Sequence, residues 1–360
     1  SSDITRLKRS RISKEELNKV DKKTAYIYYL MNNGYSYEDK LIKKNLTDSE
    51  YALIYENIDD YKGIKLKMDF DRKYIYGDTL RGVFGNISKN SIPYELKNYY
   101  LDKGYSINDR VGISGLEYYY DDYLKGEKAV YKVGENNTLE LVSEAKRGKD
   151  LVLEIDINIQ LEVENIIKEE MLKAKKTANT EFYKESYALV SEPTTGAIKA
   201  IAGIRLITNG KEKSFQDVSI NVIKNAYTVG SAVKGASMAV GYQNKVIDIG
   251  SKMTDGCVKL ANIPAKCSYK KLGVLNDIDA LALSSNYYQF IIALKIMGYD
   301  YTYNMKAEAT KEHFQKYRET FAEFGLGTTT GIDLPNESSG LKGTTIAPDL
   351  LMNLAIGQYD

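Results

Sequence analysis

The spacing of apolar and polar positions predicts helices near the start of the chain. Ser13 precedes Glu16, and Thr47 precedes Glu50, by the three positions of a capping box. Apolar residues at helical spacing follow both pairs, which favours a helix after each. The stretch 64–70 instead alternates between apolar and polar residues, as a strand does. The first part of the chain therefore reads as helical with one strand.

The pattern changes near Gly148. A helical stretch capped by Ser114 precedes this point, and the short apolar run 151–156 after it predicts a strand. Residues 158–176 carry apolar side chains along one face of a long helix. Two further apolar runs flank the turn Thr194–Gly196 and predict a β-hairpin. Strands followed by helices indicate an α+β domain, with an antiparallel sheet covered by helices.

Length and charge limit the organisation and the partners. At 360 residues the chain exceeds one usual core, so we expect two domains, 1–148 and 149–360. Fifty basic residues balance 49 acidic ones, and the net charge of +1 gives no field that would gather nucleic acid. No stretch reaches the roughly 18 apolar residues that span a bilayer. We therefore expect a soluble piece that does not bind nucleic acid.

The stretch "YTVGSAVKGASMAVG" places Lys234 three positions after Ser231, at the start of a predicted helix. Such residues share a helix face with Cβ atoms about 5–6 Å apart, so the amine can reach the hydroxyl. Gly230 allows a sharp entry, and free N–H groups at the helix tip would stabilise an oxyanion. Ser231 is a candidate nucleophile with Lys234 as its proton partner. The alternative is an ordinary helix cap, because S-x-x-K also occurs by chance.

A second polar pair lies farther along the chain, between two apolar helical runs. Ser284 and Asn286 form an S-x-N motif, and a hydroxyl and a carboxamide at such a turn can relay a proton and hold a substrate amide. Taken alone, the motif favours a polar helix cap. The functional signal comes from the two motifs in this order.

The two cysteines, Cys257 and Cys267, leave three possibilities open: a disulfide, a zinc site with Asp255, or free thiols. We expect two unpaired thiols, because two cysteines are too few for a disulfide scaffold. We expect no metal and no cofactor, because the single histidine, His313, lies far from the cysteines in sequence. His313 falls in a Lys/Glu-rich helical stretch and is predicted to be a solvated surface residue.

With these motifs and their surroundings, the chain resembles the class B penicillin-binding proteins, the serine D,D-transpeptidases that cross-link peptidoglycan. The S-x-x-K and S-x-N motifs of that family correspond to 231–234 and 284–286. "RGVFG" and "GYSINDRVGISGLEYYYDDYLKG" are similar to elements of its N-terminal pedestal domain. "SEPTTGAIKAIAG" is similar to the hairpin that opens its transpeptidase domain, and "FGLGTTTGIDLPNESSG" to one of its loops. The likeness is greatest to the elongation-type enzymes, penicillin-binding protein 2 or 2b, of Gram-positive bacteria.

The resemblance implies an α+β fold in two parts. Residues 1–148 would form a dimerisation-type pedestal, and 149–360 a transpeptidase domain with an antiparallel sheet packed between helices, as in serine β-lactamases. The family's third motif, K-T-G, does not follow Asn286 in this chain. We therefore expect the C-terminal part of that domain to be missing, with the motif about 60–90 residues beyond Asp360. A membrane helix is expected before the first residue.

The resemblance also implies a reaction. The nucleophile would attack D-Ala-D-Ala of a stem peptide and become acylated, and β-lactams would acylate the same serine. The implied catalytic residues are Ser231, Lys234, Ser284 and Asn286, and the implied substrate-binding residues are Gly230 and Ser285. A membrane anchor on the outer face of the cytoplasmic membrane, a SEDS-type glycosyltransferase and elongation-complex proteins are implied as well. A homodimer and roles in cell shape and antibiotic resistance are further implications.

Two alternatives belong to other functional classes. A non-catalytic scaffold or activator of a cell-wall glycosyltransferase would fit if the natural chain ended at Asp360 without K-T-G. A β-lactam sensor or β-lactamase would keep S-x-x-K, but the pedestal-like first 148 residues argue against it. The sequence beyond Asp360 would distinguish the scaffold from the transpeptidase.

Overall fold

A computed structural model describes residues 13–36, 39–66, 72–127, 130–133, 139–144, 146–210 and 212–360. By packing, the chain divides into a first unit, Ser1–Gly77 with Ile87–Val111, and a second unit, Asp78–Asn86 with Gly112–Asp360. Segments on the N-terminal side of Gly148 therefore pack with the second unit. The domain boundary near Gly148 stays a prediction.

Helices and short strands make up the regular structure of the described residues. The helices are α1 (Lys14–Lys19), α2 (Lys22–Asn32), α3 (Asp48–Glu56), α4 (Arg81–Phe84), α5 (Lys97–Asp102), α6 (Gly115–Tyr119), α7 (Asp121–Leu124), α8 (Ile157–Ala174), α9 (Asn221–Lys224), α10 (Lys234–Gln243), α11 (Asp277–Ala282), α12 (Asn286–Ile296), α13 (Lys311–Glu323) and α14 (Pro348–Ala355). The strands are β1 (Val130–Val133), β2 (Leu139–Ser143), β3 (Glu185–Ser191), β4 (Ile198–Asn209), β5 (Glu212–Asp217), β6 (Met253–Thr254), β7 (Cys257–Val258), β8 (Lys266–Cys267) and β9 (Val274–Leu275).

The first unit contains α1 to α3 and α5. Both predicted capping boxes are confirmed, because the Ser13 and Glu16 side chains bond each other's backbone N–H groups, and Thr47 and Glu50 do the same. The helices α2 and α3 bury none of their residues, whereas Tyr100 of α5 is fully buried. Of the strand predicted at 64–70, residues 64–66 are not in a strand, and the rest lie outside the described residues.

An antiparallel sheet with the order β3-β4-β5 forms the framework of the second unit. The predicted hairpin is confirmed, and its turn is closed by bonds between Glu192 and the residues Gly196 and Ala197. The predicted long helix is α8, which begins at its N-cap Asp156 and lies against β4. Ile167 and Met171 of α8 pack on Ala202, Ile204 and Leu206 of this strand.

The opposite side of β4 is covered by the segments around α4 and α6. Ile201 packs in a cluster with Leu80, Val83, Leu116 and Leu334. The two segments touch so closely that a Cβ on Gly85, whose φ is +81°, would lie 1.8 Å from the Ser114 carbonyl oxygen. Only glycine fits there. Ser114 is the N-cap residue of α6, as predicted, but its hydroxyl accepts a hydrogen bond from Asn86 N at 3.0 Å and makes no bond to the helix.

The strand predicted at 151–156 is not observed. Leu151, Leu153 and Ile155 do pack against the cluster around Ile201, which explains their alternation. The segment forms no ladder: a single backbone bond, from Asp156 N to Lys199 O at 3.0 Å, joins it to β4. Alternation reports which side chains are buried, and a strand also needs a hydrogen-bonded neighbour.

The helical part of the second unit is built around α12. Nearly every residue of α12 from Tyr288 to Ile296 is buried, and α12 packs against α10 and α14. A helix that is apolar all round belongs in the middle of a core. It fixes the start of α12, which contains Asn286, against the start of α10, which contains Lys234. Across the described ranges, no helix is both long enough and apolar enough to cross a membrane.

Candidate active site

Ser231 lies in a 3-10 turn, Gly230–Val233, that leads directly into α10. Gly230 has a φ of +61°, which supports the predicted sharp entry, and its N–H donates to the Gly357 carbonyl at 2.8 Å. Gly357 also has a positive φ, and a Cβ there would lie 2.1 Å from the Gly230 oxygen. The turn is therefore held by close backbone contact with the end of α14. The Ser231 side chain is exposed at this turn.

Lys234, the first residue of α10, is only 2% exposed. Its ammonium donates to the Ser284 carbonyl at 2.8 Å, the Ser284 hydroxyl at 3.0 Å and the Asn286 Oδ1 at 2.6 Å. These three acceptors match its three N–H groups. Among the described residues no carboxylate forms an ion pair with it, and burial lowers the pKa of Lys234 to about 8.

Ser284 forms the turn between α11 and α12, and its φ of +54° is in the left-handed region. This conformation costs a non-glycine residue about 1–2 kcal/mol. It is the residue whose carbonyl and hydroxyl both accept from Lys234. The structure thus brings three of the four predicted catalytic residues into one hydrogen-bonded group, with Ser231 one turn before Lys234.

Ser285 was predicted to bind substrate, but its side chain is fully buried. Its hydroxyl accepts from Tyr288 N at 3.1 Å, as the N-cap of α12, and donates to Asp255 at 2.7 Å. The Ser285 hydroxyl is therefore occupied in holding the turn, and a substrate contact through this side chain is not supported. Gly230 lies in the turn Gly230–Val233, and its substrate-binding role is still a prediction.

The prediction of free thiols was wrong, because Cys257 and Cys267 form a disulfide. They face each other across the short strands β7 and β8, with Cα atoms 4.2 Å apart. The Cys267 carbonyl accepts from Asn286 Nδ2 at 3.3 Å, which ties the disulfide hairpin to the S-x-N turn. The described residues contain no cluster of three or more metal-binding side chains.

Sequence comparison gives a consistent family match over most of the chain. Residues 4–153 match the penicillin-binding protein dimerisation domain, and residues 186–359 match the penicillin-binding protein transpeptidase domain. Penicillin-binding protein 2A of Bacillus subtilis is 34% identical over 99% of this chain. The chain belongs to the class B penicillin-binding proteins.

Two further relatives of this class B penicillin-binding protein are informative. The structure of penicillin-binding protein 2B from Streptococcus pneumoniae strain 5204 is 30% identical, with a TM-score of 0.79 over 97% of this chain and 59% of that one. A peptidoglycan D,D-transpeptidase, MrdA, of Acinetobacter baumannii is 26% identical over 83% of this chain and 43% of its own length. The chain spans about half the length of the curated relatives, 52% for the Bacillus protein.

A cavity of about 1580 Å³ runs beside the turn Gly230–Val233 of this penicillin-binding protein. Val229, Val233 and Gly357 line it, whereas Ser231, Lys234, Ser284 and Asn286 do not. It therefore borders the turn from the side of α14 and does not include the hydrogen-bonded group of Lys234, Ser284 and Asn286.

His313 lies in a helix, as predicted, but its side chain is only partly exposed to solvent. It is half-buried near the start of α13, and its Nδ1 accepts from the backbone N–H of Thr310 at 3.1 Å. Burial lowers the pKa of His313, which favours the neutral ring needed to accept this bond. His313 therefore caps the start of α13. Its position three residues after Thr310 is the spacing of a capping box, from which this role could have been predicted.

Removal of the disulfide should destabilise this region. We expect Cys267→Ser to lower the free energy of unfolding by about 2–3 kcal/mol, because the bridge closes a loop with a sequence separation of 10. The measurement is denaturant unfolding of the whole protein under non-reducing conditions. Wild type measured with a thiol reductant should match the variant, and an unchanged midpoint in both would contradict the expectation.

Proposed function

We propose that this protein is a serine D,D-transpeptidase that cross-links peptidoglycan stem peptides through an acyl-enzyme on Ser231. The observation that carries the proposal is the buried amine of Lys234, held by Ser284 and Asn286 one turn after an exposed serine. The kinship with a named peptidoglycan D,D-transpeptidase supports the same reaction.

Acylation requires a proton path away from the nucleophile. The Ser231 Oγ attacks the carbonyl carbon of the penultimate D-alanine, its proton passes to the neutral amine of Lys234, and a C–O bond forms. As the C–N bond breaks, Lys234 returns this proton to the Ser284 hydroxyl, which lies 3.0 Å from its Nζ, while Ser284 passes its own proton to the departing D-alanine amine. The backbone N–H of Ser231 stabilises the oxyanion, and Asn286 holds the substrate amide.

Deacylation repeats these steps with a different nucleophile. The amine of a neighbouring stem peptide attacks the ester, the new peptide bond forms, and Ser231 regains its proton. A β-lactam enters by the same first step, but its ring opens without releasing a leaving group, so the ester persists. The proposal extends to a role in cell elongation on the outer face of the cytoplasmic membrane, with a SEDS-type glycosyltransferase as partner.

The proposal is tested by the release of D-alanine. The whole protein, incubated with a peptide ending in D-Ala-D-Ala and an acceptor amine, should release D-alanine and form the cross-linked peptide in equal amounts. Peptides ending in L-Ala-L-Ala are the control and should not react. A protein that binds such peptides without releasing D-alanine would be a scaffold and would overturn the proposal.

Acylation should increase with pH around the pKa of Lys234. Burial lowers this pKa to about 8, so the neutral amine is the minor form at pH 7 and the major form at pH 9. We expect the rate of acylation by benzylpenicillin to increase about tenfold between these two pH values, with its midpoint near 8. Stopped-flow or quenched labelling measures it. Lys234→Arg, which cannot give up its proton, should be slow at every pH, and a flat wild-type profile would contradict the base role.

A further inference from the structure

Two serine hydroxyls cap the start of α12, the helix that begins at Asn286. The Ser268 Oγ accepts from Asn286 N at 3.0 Å and from Tyr287 N at 3.2 Å, and the Ser285 Oγ accepts from Tyr288 N at 3.1 Å. The first N–H groups of a helix have no partner within the helix itself. Side chains from two separate segments therefore fix the direction in which α12 begins.

A single carboxylate oxygen orients both of these hydroxyls. The Asp255 Oδ1 accepts from the Ser268 Oγ and from the Ser285 Oγ, each at 2.7 Å, while its Oδ2 accepts from Leu272 N at 3.4 Å. A carboxylate accepts hydrogen bonds and does not donate them, so both O–H bonds must point towards Asp255. The lone pairs of the two hydroxyls are then left for the N–H groups of α12.

The side chain of Asn286 is held between this network and Lys234. Its Nδ2 donates to the Cys267 carbonyl at 3.3 Å, next to Ser268, and its Oδ1 accepts from the Lys234 Nζ at 2.6 Å. The disulfide between Cys257 and Cys267 joins the strands β7 and β8, directly before Ser268 in the chain. Any tilt at the start of α12 would therefore move the carboxamide that contacts the amine of Lys234.

We propose that Asp255 and Ser268 are positioning residues of the active site, which fix Asn286 and, through it, the amine of Lys234. The inference rests on the proposed function, because it assigns these residues a part in acylation of Ser231. Neither residue belongs to the S-x-x-K or S-x-N motif, and neither touches the reacting atoms. They act through the backbone and the carboxamide of Asn286.

The test compares two substitutions at Ser268. Ser268→Ala leaves the N–H groups of Asn286 and Tyr287 without their acceptor, and we expect acylation by benzylpenicillin to slow about 10- to 100-fold. Ser268→Thr keeps the hydroxyl and should recover most of the rate. The matched control is Ser251→Ala, which also removes an acceptor from a backbone N–H, that of Asp248, and keeps the Ser251 carbonyl that accepts from the Tyr288 hydroxyl. Its acylation rate should equal that of the wild type.

The pH profile separates positioning from a merely structural role. In Ser268→Ala the Asn286 carboxamide should move away from Lys234, so that its Oδ1 no longer accepts from the Lys234 ammonium. Loss of this bond disfavours the charged form of Lys234 and lowers its pKa. The midpoint of the acylation profile should therefore move to lower pH. A structural role alone would lower the melting temperature and leave the midpoint in place. Should Ser268→Ala fail to fold, Asp255→Ala provides a second comparison, because it removes the one oxygen that orients both serine hydroxyls.

The outcomes distinguish this inference from the proposed function. A wild-type protein that is labelled on Ser231, together with Ser268→Ala acylated at the wild-type rate and with an unchanged midpoint, overturns the positioning role alone. A wild-type protein that is not labelled on Ser231 overturns both. Slow acylation of Ser268→Ala with a lowered midpoint, recovered in Ser268→Thr, supports both.

Discussion

Replacing Ser231 with alanine is expected to abolish covalent labelling of the whole protein by a fluorescent penicillin. The substitution removes the only atom that forms the ester bond, and loss of a catalytic nucleophile lowers rates by about 10⁶-fold in well-studied cases. Because the Ser231 side chain is exposed, the folded state should lose little stability. The measurement is gel fluorescence together with a thermal melt.

The matched control for this variant is Ser214→Ala, which removes an exposed hydroxyl from β5. It should be labelled as strongly as the wild type. Labelling of Ser231→Ala at the wild-type level would mean that another residue is acylated, and it would refute the assignment of the nucleophile.

Replacing Gly357 with alanine should damage both stability and acylation. Its φ is +71°, and a Cβ would lie 2.1 Å from the Gly230 carbonyl oxygen, well inside contact distance. Neither atom can rotate away, because the backbone fixes the position of a Cβ and the oxygen is itself a backbone atom. We expect the free energy of unfolding to fall by about 3–5 kcal/mol, from the steric overlap together with the left-handed conformation. Denaturant unfolding measures it.

The folded fraction of Gly357→Ala should also acylate about 100-fold more slowly, since the displaced Gly230 carries Ser231 with it. Gly250→Ala is the matched control. Gly250 has a similar φ of +79°, but a Cβ there has no atom within 4 Å. In this variant the free energy of unfolding should fall only by the cost of the left-handed conformation, about 1–2 kcal/mol, and the acylation rate should not change. Equal decreases in stability and acylation rate in the two variants would contradict the importance of the contact between Gly357 and the turn Gly230–Val233.

The sequence predicts the elements whose signal is local. Both capping boxes and the hairpin around Thr194–Gly196 depend on residues within a few positions of each other, and all three are observed. The predicted strand at 151–156 fails because its alternation reflects burial on one side, whereas a ladder depends on a neighbouring segment far away in the chain. Ser114 occupies the expected N-cap position, but its hydroxyl accepts from Asn86 N, which lies in a distant segment, and not from the helix.

The residues of the candidate site likewise fall into those that the sequence predicts and those that it does not. Ser231, Lys234, Ser284 and Asn286 can be found from the sequence, because the chemistry needs these residue types in this order. Asp255 and Ser268 cannot, since their bonds to the start of α12 join segments 18 to 30 positions apart with no repeating pattern. The disulfide depends on the 4.2 Å approach of two Cα atoms across β7 and β8, which the number of cysteines does not reveal.

The central claim is that the hydroxyl of Ser231 accepts an acyl group with the help of the buried amine of Lys234. Its most direct test is mass spectrometry of the intact protein after exposure to benzylpenicillin, followed by peptide mapping. The account predicts one adduct per chain, on the peptide that contains Ser231, and none in Ser231→Ala. The absence of any adduct, or an adduct on a different residue, would contradict it.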